Sequence, residues 1–219
     1  MNTNYHIDLK VKSKVKPYHK VISSYLANRS NIEIIADVGS GRGEMIQLLL
    51  AERSDVEIMA LDYDSDCLNL SLKAGATSSF KFDINCLETF PTLQVDCLIL
   101  SHVLEHTDNP IEVLTGLKKM VKPGGIMIVA VPNPTRPTVF IGNLYKNHYV
   151  NLGHRFAWDP SHWKNFLENI LELEVEEYFS DQVLLFPGFI GRRLAKSFGY
   201  WMAKKMPWLG FSNIAVIRI

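Results

Sequence analysis

The sequence predicts an α/β fold, a mostly parallel sheet with helices on both faces. Short apolar runs alternate with helical patterns from residue 32 onward, the order that parallel strands require because each must be joined to the next by a crossover. One of those runs, Val95–Leu100, is apolar everywhere except Asp96, as suits a strand covered on both faces. A glycine cluster, Gly39, Gly41 and Gly43, falls where the first strand gives way to a helix.

The elements follow in order. Ile32–Val38 is the first strand, and Glu44–Arg53 a helix with Met45, Leu48 and Leu49 on one face. Val56–Leu61 is the second strand. Asp64 or Ser65 caps a helix that Gly75 ends. Ser79–Phe82 and Val95–Leu100 are the third and fourth strands. Asn109 and Pro110 open a helix that closes at Lys122-Pro123-Gly124-Gly125, and Ile126–Val131 is the fifth strand. Asp159 and Pro160 start a helix running to about Ile170. Leu171–Tyr178 alternates apolar with acidic residues, as a strand near the sheet edge would. Ile190–Lys205 has helical spacing, and Ile214–Ile219 is a last apolar strand. The stretch Pro132–Trp158, rich in Asn, Pro and aromatics, has the length of a functional loop. With no internal repeat or low-complexity linker, residues 1–219 read as one domain.

The composition, 47% hydrophobic and 21% charged, excludes a disordered chain. Lys plus Arg balances Asp plus Glu at 23 each, so net charge points to no partner, but its distribution does. No acidic residue follows Asp181, whereas Arg192, Arg193, Lys196, Lys204, Lys205 and Arg218 do. The amino-terminal arm carries Lys10, Lys12, Lys14, Lys16 and Lys20. Basic ends suit a phosphate-bearing or membrane-surface partner, or a solvated face. No recognisable RNA-binding module is present, and nucleic acid is not expected. Cys67, Cys86 and Cys97 lack metal-ligand spacing and read as reduced core thiols. The polar, lysine-rich start predicts no signal peptide, and no apolar run would span a bilayer; a cytoplasmic protein, in peripheral contact with a membrane at most, is expected.

The segment Asp37-Val38-Gly39-Ser40-Gly41-Arg42-Gly43 lets a ligand approach the backbone beside the free N–H groups of a helix start. Asp62 ends the next strand 19 residues beyond Gly43, where a carboxylate can accept from ribose hydroxyls. The glycines are spaced G-x-G-x-G, not the G-x-G-x-x-G of dinucleotide sites, and Asp37 would repel a pyrophosphate but attract an ammonium group. A nicotinamide-dependent oxidoreductase is the alternative enzyme, and an inactive fold-sharing binding protein the alternative outside catalysis.

This loop resembles motif I of class I S-adenosylmethionine-dependent methyltransferases, and the resemblance extends through residues 32–131. Asp62 is similar to the acidic ribose motif, Asp83-Ile84 to the adenine-binding pair, and Ser101-His102-Val103-Leu104-Glu105-His106 to the segment after strand four in the small-molecule and lipid-precursor subgroup. Leu117–Val131 is similar to the motif leading into strand five. The resemblance implies a Rossmann-like seven-stranded sheet with its last strand antiparallel between the fifth and sixth. It implies S-adenosylmethionine as cofactor and S-adenosylhomocysteine as product. Gly39, Ser40, Gly41 and Gly43 would line the methionine and ribose part, Asp37 would lie near the amino group, and Asp62 would take the ribose diol. Tyr63 would pack on adenine, Asp83 would accept from its exocyclic amine, Ile84 would add a backbone contact, and Ser101 and His102 would flank the sulfonium. On this reading residues 1–30 form a basic helical arm, 32–131 the cofactor core, 132–170 an acceptor-side lid and helix, and 180–212 an insertion before the last strand.

His102, Glu105 and His106 spell H-x-x-E-H, but they follow a strand instead of lying in a long helix, which argues against a zinc peptidase. Members of the superfamily with E-x-x-E-H at this place bind a divalent metal; this chain has His102 for the first Glu, and no metal is expected, His154 being the further ligand if one binds. His102 is the first candidate for a general base, because imidazole titrates near neutrality, and His154 the second. Arg155 could fork onto an anionic acceptor, with Tyr145, His148 and Tyr149 on the same loop as lid residues. The expected reaction is O-methylation of a small-molecule, sugar or lipid-linked acceptor.

Overall fold

The computed structural model describes residues 14–139, 142, 153–183 and 192–219. Its centre is a seven-stranded sheet in the order β3-β2-β1-β4-β5-β7-β6, built from β1 (Ile34–Val38), β2 (Glu57–Asp62), β3 (Ser78–Lys81), β4 (Val95–Ser101), β5 (Val121–Pro132), β6 (Glu174–Phe179) and β7 (Ser212–Arg218). Neighbours pair in parallel from β3 through β5, while β7 runs antiparallel to both β5 and β6. The expected class, with its reversed last strand inserted between the fifth and sixth, is the one found.

Side-chain alternation along the strands builds a core on each face. Leu98 and Leu100 of β4, Met127 and Val129 of β5 and Ala215 and Ile217 of β7 join one cluster, covered by Val113, Leu114 and Leu117 of α4 (Pro110–Lys118) and by Trp163, Phe166 and Leu167. Trp163 belongs to α5 (Pro160–Asn165), and the other two to the turn of π-helix that follows it, Phe166–Ile170. The alternate residues, Cys97, Ile99, Ile126, Ile128, Ile214 and Val216, face Ile22 and Leu26 of α1 (Pro17–Ala27) and Met45, Ile46 and Leu49 of α2 (Glu44–Glu52). Ile46, not Leu48, completes the buried face of α2. Asp64 caps α3 (Ser65–Lys73), its carboxylate accepting from the Asp66 and Cys67 N–H groups, and Gly75 follows at φ 109°. The last helix, α6 (Arg192–Lys205), precedes a 3-10 turn at Pro207–Leu209.

Two further expectations change. The Lys122–Gly125 stretch does not lie outside the sheet: β5 starts at Val121, paired with Val95, and the register then shifts before Cys97 pairs with Ile126. Gly124 takes φ 81° there, and a Cβ on Gly125 would lie 2.7 Å from the Asp96 carbonyl oxygen, so the glycines shape an irregular strand end. Cys67 and Cys97 are buried free thiols, but Cys86 is half-buried in a loop and not a core residue. No described helix is long and apolar enough to cross a membrane.

Candidate active site

The glycine loop leaves β1 at the carboxyl end of the sheet, where ligands of open α/β sheets gather. The Gly39 and Ser40 N–H groups donate to the Leu61 carbonyl at 2.8 and 3.2 Å, which fastens the loop to β2. Asp62 strengthens that tie: its Oδ2 accepts from the Gly41 N–H at 2.9 Å and its Oδ1 from the Asp64 N–H at 3.0 Å. A carboxylate offers about four lone-pair sites, so each oxygen retains capacity for a ligand. A Cβ on Gly39 would meet Val103 at 2.3 Å and one on Gly43 would meet Ala74 at 2.5 Å, whereas one on Gly41 would come no nearer than 4.0 Å to another atom, the Gly39 carbonyl oxygen. Gly43 therefore serves the packing of α2 on α3 more than contact with a ligand.

A cavity of about 200 Å³ opens beside this loop, lined by Asp37, Gly39, Ser40, Gly41, Ser101 and His102 among the residues expected from sequence. That is below the roughly 300–1,000 Å³ of a pocket enclosing a whole drug-sized ligand, so it suits one end of a larger ligand. Asp37 and Glu44 place carboxylates on its wall, and Asp37 is the buried one. Its Oδ2 is buried with no hydrogen-bond partner, and burial, with Asp62 and Glu44 nearby, pushes its pKa up to about 7. A buried carboxylate short of donors at a cavity wall matches an ammonium group on the ligand. Sequence reasoning missed the opposite wall, where Lys16, Tyr18 and His19 come from the start of α1 together with Lys14. Their basic, aromatic composition was visible, but nothing in their spacing ties them to a loop twenty residues on.

His102 lies in the left-handed region at φ 55°, held by its N–H donating to the Ala130 carbonyl at 2.8 Å. Its ring stacks on Tyr18 with centroids 4.2 Å apart. Nε2 lies 2.8 Å from Ser212 Oγ, and Ser212 Oγ lies 3.1 Å from Asp181 Oδ2. Asp181 is almost fully buried and accepts from the N–H groups of Ser212, at 3.0 Å, and Gln182, at 2.7 Å. With the Ser212 hydroxyl donating to Asp181, its oxygen accepts from His102 Nε2–H, and Nδ1 keeps its lone pair. Burial above all, then His19, Arg136, His154 and His106, pushes the His102 pKa down to about 3, so the ring is neutral but does not titrate near neutrality as expected from sequence, and burial must be offset by a partner before it can hold a second proton. Neither Ser212 nor Asp181 announces itself in the sequence.

Nδ1 of His102 lies 3.6 Å from Glu105 Oε1, and the His106 and His154 Nε2 atoms lie 3.9 and 4.0 Å from the same oxygen. Glu105 is 1% exposed, its Oε2 has no hydrogen-bond partner, and burial raises its pKa to about 8. His106 Nδ1 contacts the Gly153 carbonyl at 3.0 Å, and the Arg155 and Phe156 N–H groups donate to the Glu105 carbonyl. Residues 153–156 are thereby sewn to the turn after β4. Donor atoms of Glu105, His106 and His154 lie within 4.8 Å of one another, a set of two imidazoles and a carboxylate that fits a borderline divalent ion better than magnesium.

Other expected residues fall elsewhere. Arg155 does not reach the cavity: its side chain is 54% exposed and paired with Asp108. Tyr63, also exposed, follows β2; Asp83 follows β3, its Oδ1 accepting from the Asn85 N–H at 2.9 Å, and Ile84 packs on the core. None of these three lines the cavity, and neither does Asp62. Tyr145, His148 and Tyr149 lie outside the described residues.

Comparison with known proteins bears on this geometry. A family described as a methyltransferase domain matches residues 12–172. The ubiquinone biosynthesis O-methyltransferase of Rickettsia bellii (strain OSU 85-389) is 28% identical over 167 residues, covering 71% of this chain and 67% of that protein. Its counterpart from Rickettsia akari (strain Hartford) is 25% identical over 169 residues, covering 74% and 62%. Among solved structures, the plantazolicin methyltransferase BpumL with S-adenosylhomocysteine superposes with a TM-score of 0.62 at 14% identity, covering 92% of this chain and 82% of that one. A SAM-dependent methyltransferase from Archaeoglobus fulgidus gives 0.57 at 18% identity, covering 92% and 94%.

Proposed function

The chain belongs to the methyltransferase-domain family and uses S-adenosylmethionine as its methyl donor, and from that premise we propose that it methylates a hydroxyl group of a small-molecule, sugar or lipid-linked acceptor. The rickettsial relatives, named as O-methyltransferases, support oxygen as the methylated atom. The observation that carries the reading is the position of the His102 imidazole on the wall of the donor cavity, with Nε2 held by Ser212 and Nδ1 left to take a proton.

In this reading Asp37 receives the donor's α-ammonium, and Gly39, Ser40 and Gly41 lie along its methionine chain. Asp62 accepts from the ribose hydroxyls with the lone pairs left beside its bonds to Gly41 and Asp64. Tyr63 covers adenine, Asp83 accepts from its exocyclic amine, and Ile84 adds a backbone contact. Ser101 flanks the sulfonium. The transfer is an in-line displacement: the acceptor oxygen forms its bond to the methyl carbon as the carbon–sulfur bond breaks, and the sulfur leaves neutral with the electron pair. The hydroxyl proton passes to His102 Nδ1, and Glu105, when ionised, stands next to the imidazolium so formed. His154 is the alternative base, approaching from the acceptor side. A divalent ion on Glu105, His106 and His154 would polarise an acceptor hydroxyl; proton removal by His102 does not depend on it.

Incubation with donor labelled in its methyl carbon, followed by resonance assignment of the product methyl, tests the atom methylated. An O-methyl product is expected, and an N- or C-methyl product overturns the proposal. His102→Ala should lower turnover by about a hundredfold or more while donor affinity stays within a few-fold. The reverse pattern would make His102 a donor-pocket residue.

A further inference from the structure

The last helix is amphipathic the wrong way round for a packed helix. It docks through its smallest residues, Gly199 and Ala203, one turn apart and both buried. A Cβ on Gly199 would stand 2.4 Å from the Val183 carbonyl oxygen, and the Val183 N–H donates to the Gly199 carbonyl at 3.1 Å, so the helix backbone itself lies against residues 182–183. Its large side chains point the other way. Phe198 and Trp201 are 52% and 57% exposed and stack on each other with centroids 5.6 Å apart, and Trp208 in the following turn is 51% exposed. Lys204 and Lys205 are exposed beside them.

We propose that this face, Phe198, Trp201, Lys204, Lys205 and Trp208, docks on the surface of an anionic lipid bilayer. Two observations select lipid over other occupants. Residues 182–205, through the end of this helix, contain five cations and not one acidic side chain, so a second copy of the same face would meet it with like charge, whereas anionic headgroups meet it with opposite charge. The apolar members are aromatic, and indole rings favour the boundary between headgroups and acyl chains, where lysines can remain at the phosphates. No described helix is long and apolar enough to cross the membrane, so the contact is with its surface. The patch also adjoins the acceptor side of the site. Trp208 and Gly210 are held through their carbonyls by the Asn133 side chain, at 2.8 and 2.9 Å, and Phe211, next in the chain, stacks at 6.3 Å from the His102 ring. Docking there would bring the catalytic wall close to a lipid-linked acceptor.

Vesicle cosedimentation of the full chain tests this. The chain should sediment with vesicles of phosphatidylglycerol and phosphatidylcholine, release with rising salt, and show a blue shift of tryptophan emission on binding. Pure phosphatidylcholine should bind at least about tenfold more weakly. The double variant W201S/W208S and the charge reversal K204E/K205E should each reduce binding to the anionic vesicles by about tenfold or more, with S-adenosylhomocysteine affinity unchanged. Binding unaffected by either variant, or equal binding to both vesicle types, overturns the proposal. So does a wild-type dimer in light scattering that W201S/W208S converts to monomer, which would assign the face to a second copy.

Discussion

Asp37 and Ser212 show how single buried atoms set the chemistry of the site. The unfolded chain would release the Asp37 proton near 3.8, whereas the folded protein holds it to about 7. Between those values the native state binds more protons than the unfolded one, so this group's contribution to stability falls as pH rises. Asp37→Asn removes that penalty. The donor-free variant should melt above the wild type at pH 8, with the gain vanishing towards pH 4, as calorimetry can measure. With the donor's α-ammonium placed at Asp37 as proposed, donor binding has the opposite requirement, because an ammonium group favours the ionised carboxylate. Wild-type affinity should rise with pH through about 7, and Asp37→Asn should weaken it by about 10- to 100-fold at pH 8. Ser212 tests the other wall. Ser212→Ala leaves an oxygen of the almost fully buried Asp181 without its hydroxyl donor and His102 without a fixed acceptor for Nε2–H. A stability loss of about 1–3 kcal/mol is expected. Turnover should fall by about tenfold with donor affinity nearly unchanged, and the nitrogen shifts of His102 should show a mixture of tautomers. A structural role alone would lower stability and leave the tautomer fixed.

At the level of elements, strand positions were legible because their signal is local and periodic. Val95–Leu100 could hardly be anything but a central strand, and Asp64 and Asp159 announce their helices by capping chemistry that acts within three residues. The Lys122–Gly125 segment misled because Pro-Gly-Gly usually ends an element, whereas here it lies in a sheet whose register shifts to accommodate it. The glycines of the donor loop were legible as a group but not in their separate tasks. Gly43 has φ 78°, and a Cβ there would stand 2.5 Å from Ala74 Cβ and 3.2 Å from Ser71 Cα, forcing α2 and α3 apart. Gly124 has a similar φ of 81° and nothing within 4 Å. Comparing Gly43→Ala with Gly124→Ala thus separates packing from backbone strain. Guanidinium unfolding should show about 1–2 kcal/mol lost at Gly124, from the left-handed conformation alone, and about 1–3 kcal/mol more at Gly43. Equal losses would mean that α3 yields without cost.

The whole molecule joins what the sequence keeps apart. Asp37, Asp62 and the glycine loop were readable together because one βαβ unit contains them. The contact between His102 and Ser212 spans 110 residues, and it exists only because β7 inserts antiparallel beside β5, bringing its first residue to the carboxyl end of β4. No spacing rule reaches that far. The same holds for α1, whose Ile22 and Leu26 pack with Met45, Ile46 and Leu49 of α2 on one face of the sheet, leaving the start of the helix over the donor cavity. Tyr18 there stacks on His102 while His19, Asp37 and Gly39 share the cavity wall, so the helix closes the end of the site proposed to receive the amino-acid part of the donor. Binding of S-adenosylhomocysteine should therefore slow amide hydrogen exchange in Pro17–Ala27 as strongly as in the glycine loop, although the two are separate in sequence. Tyr18→Ala should weaken donor binding by about tenfold, through loss of the stacked ring, and should abolish the added protection of α1 while sparing that of residues 39–43. Protection confined to the loop in the wild type would show that α1 supports the sheet without taking part in the site.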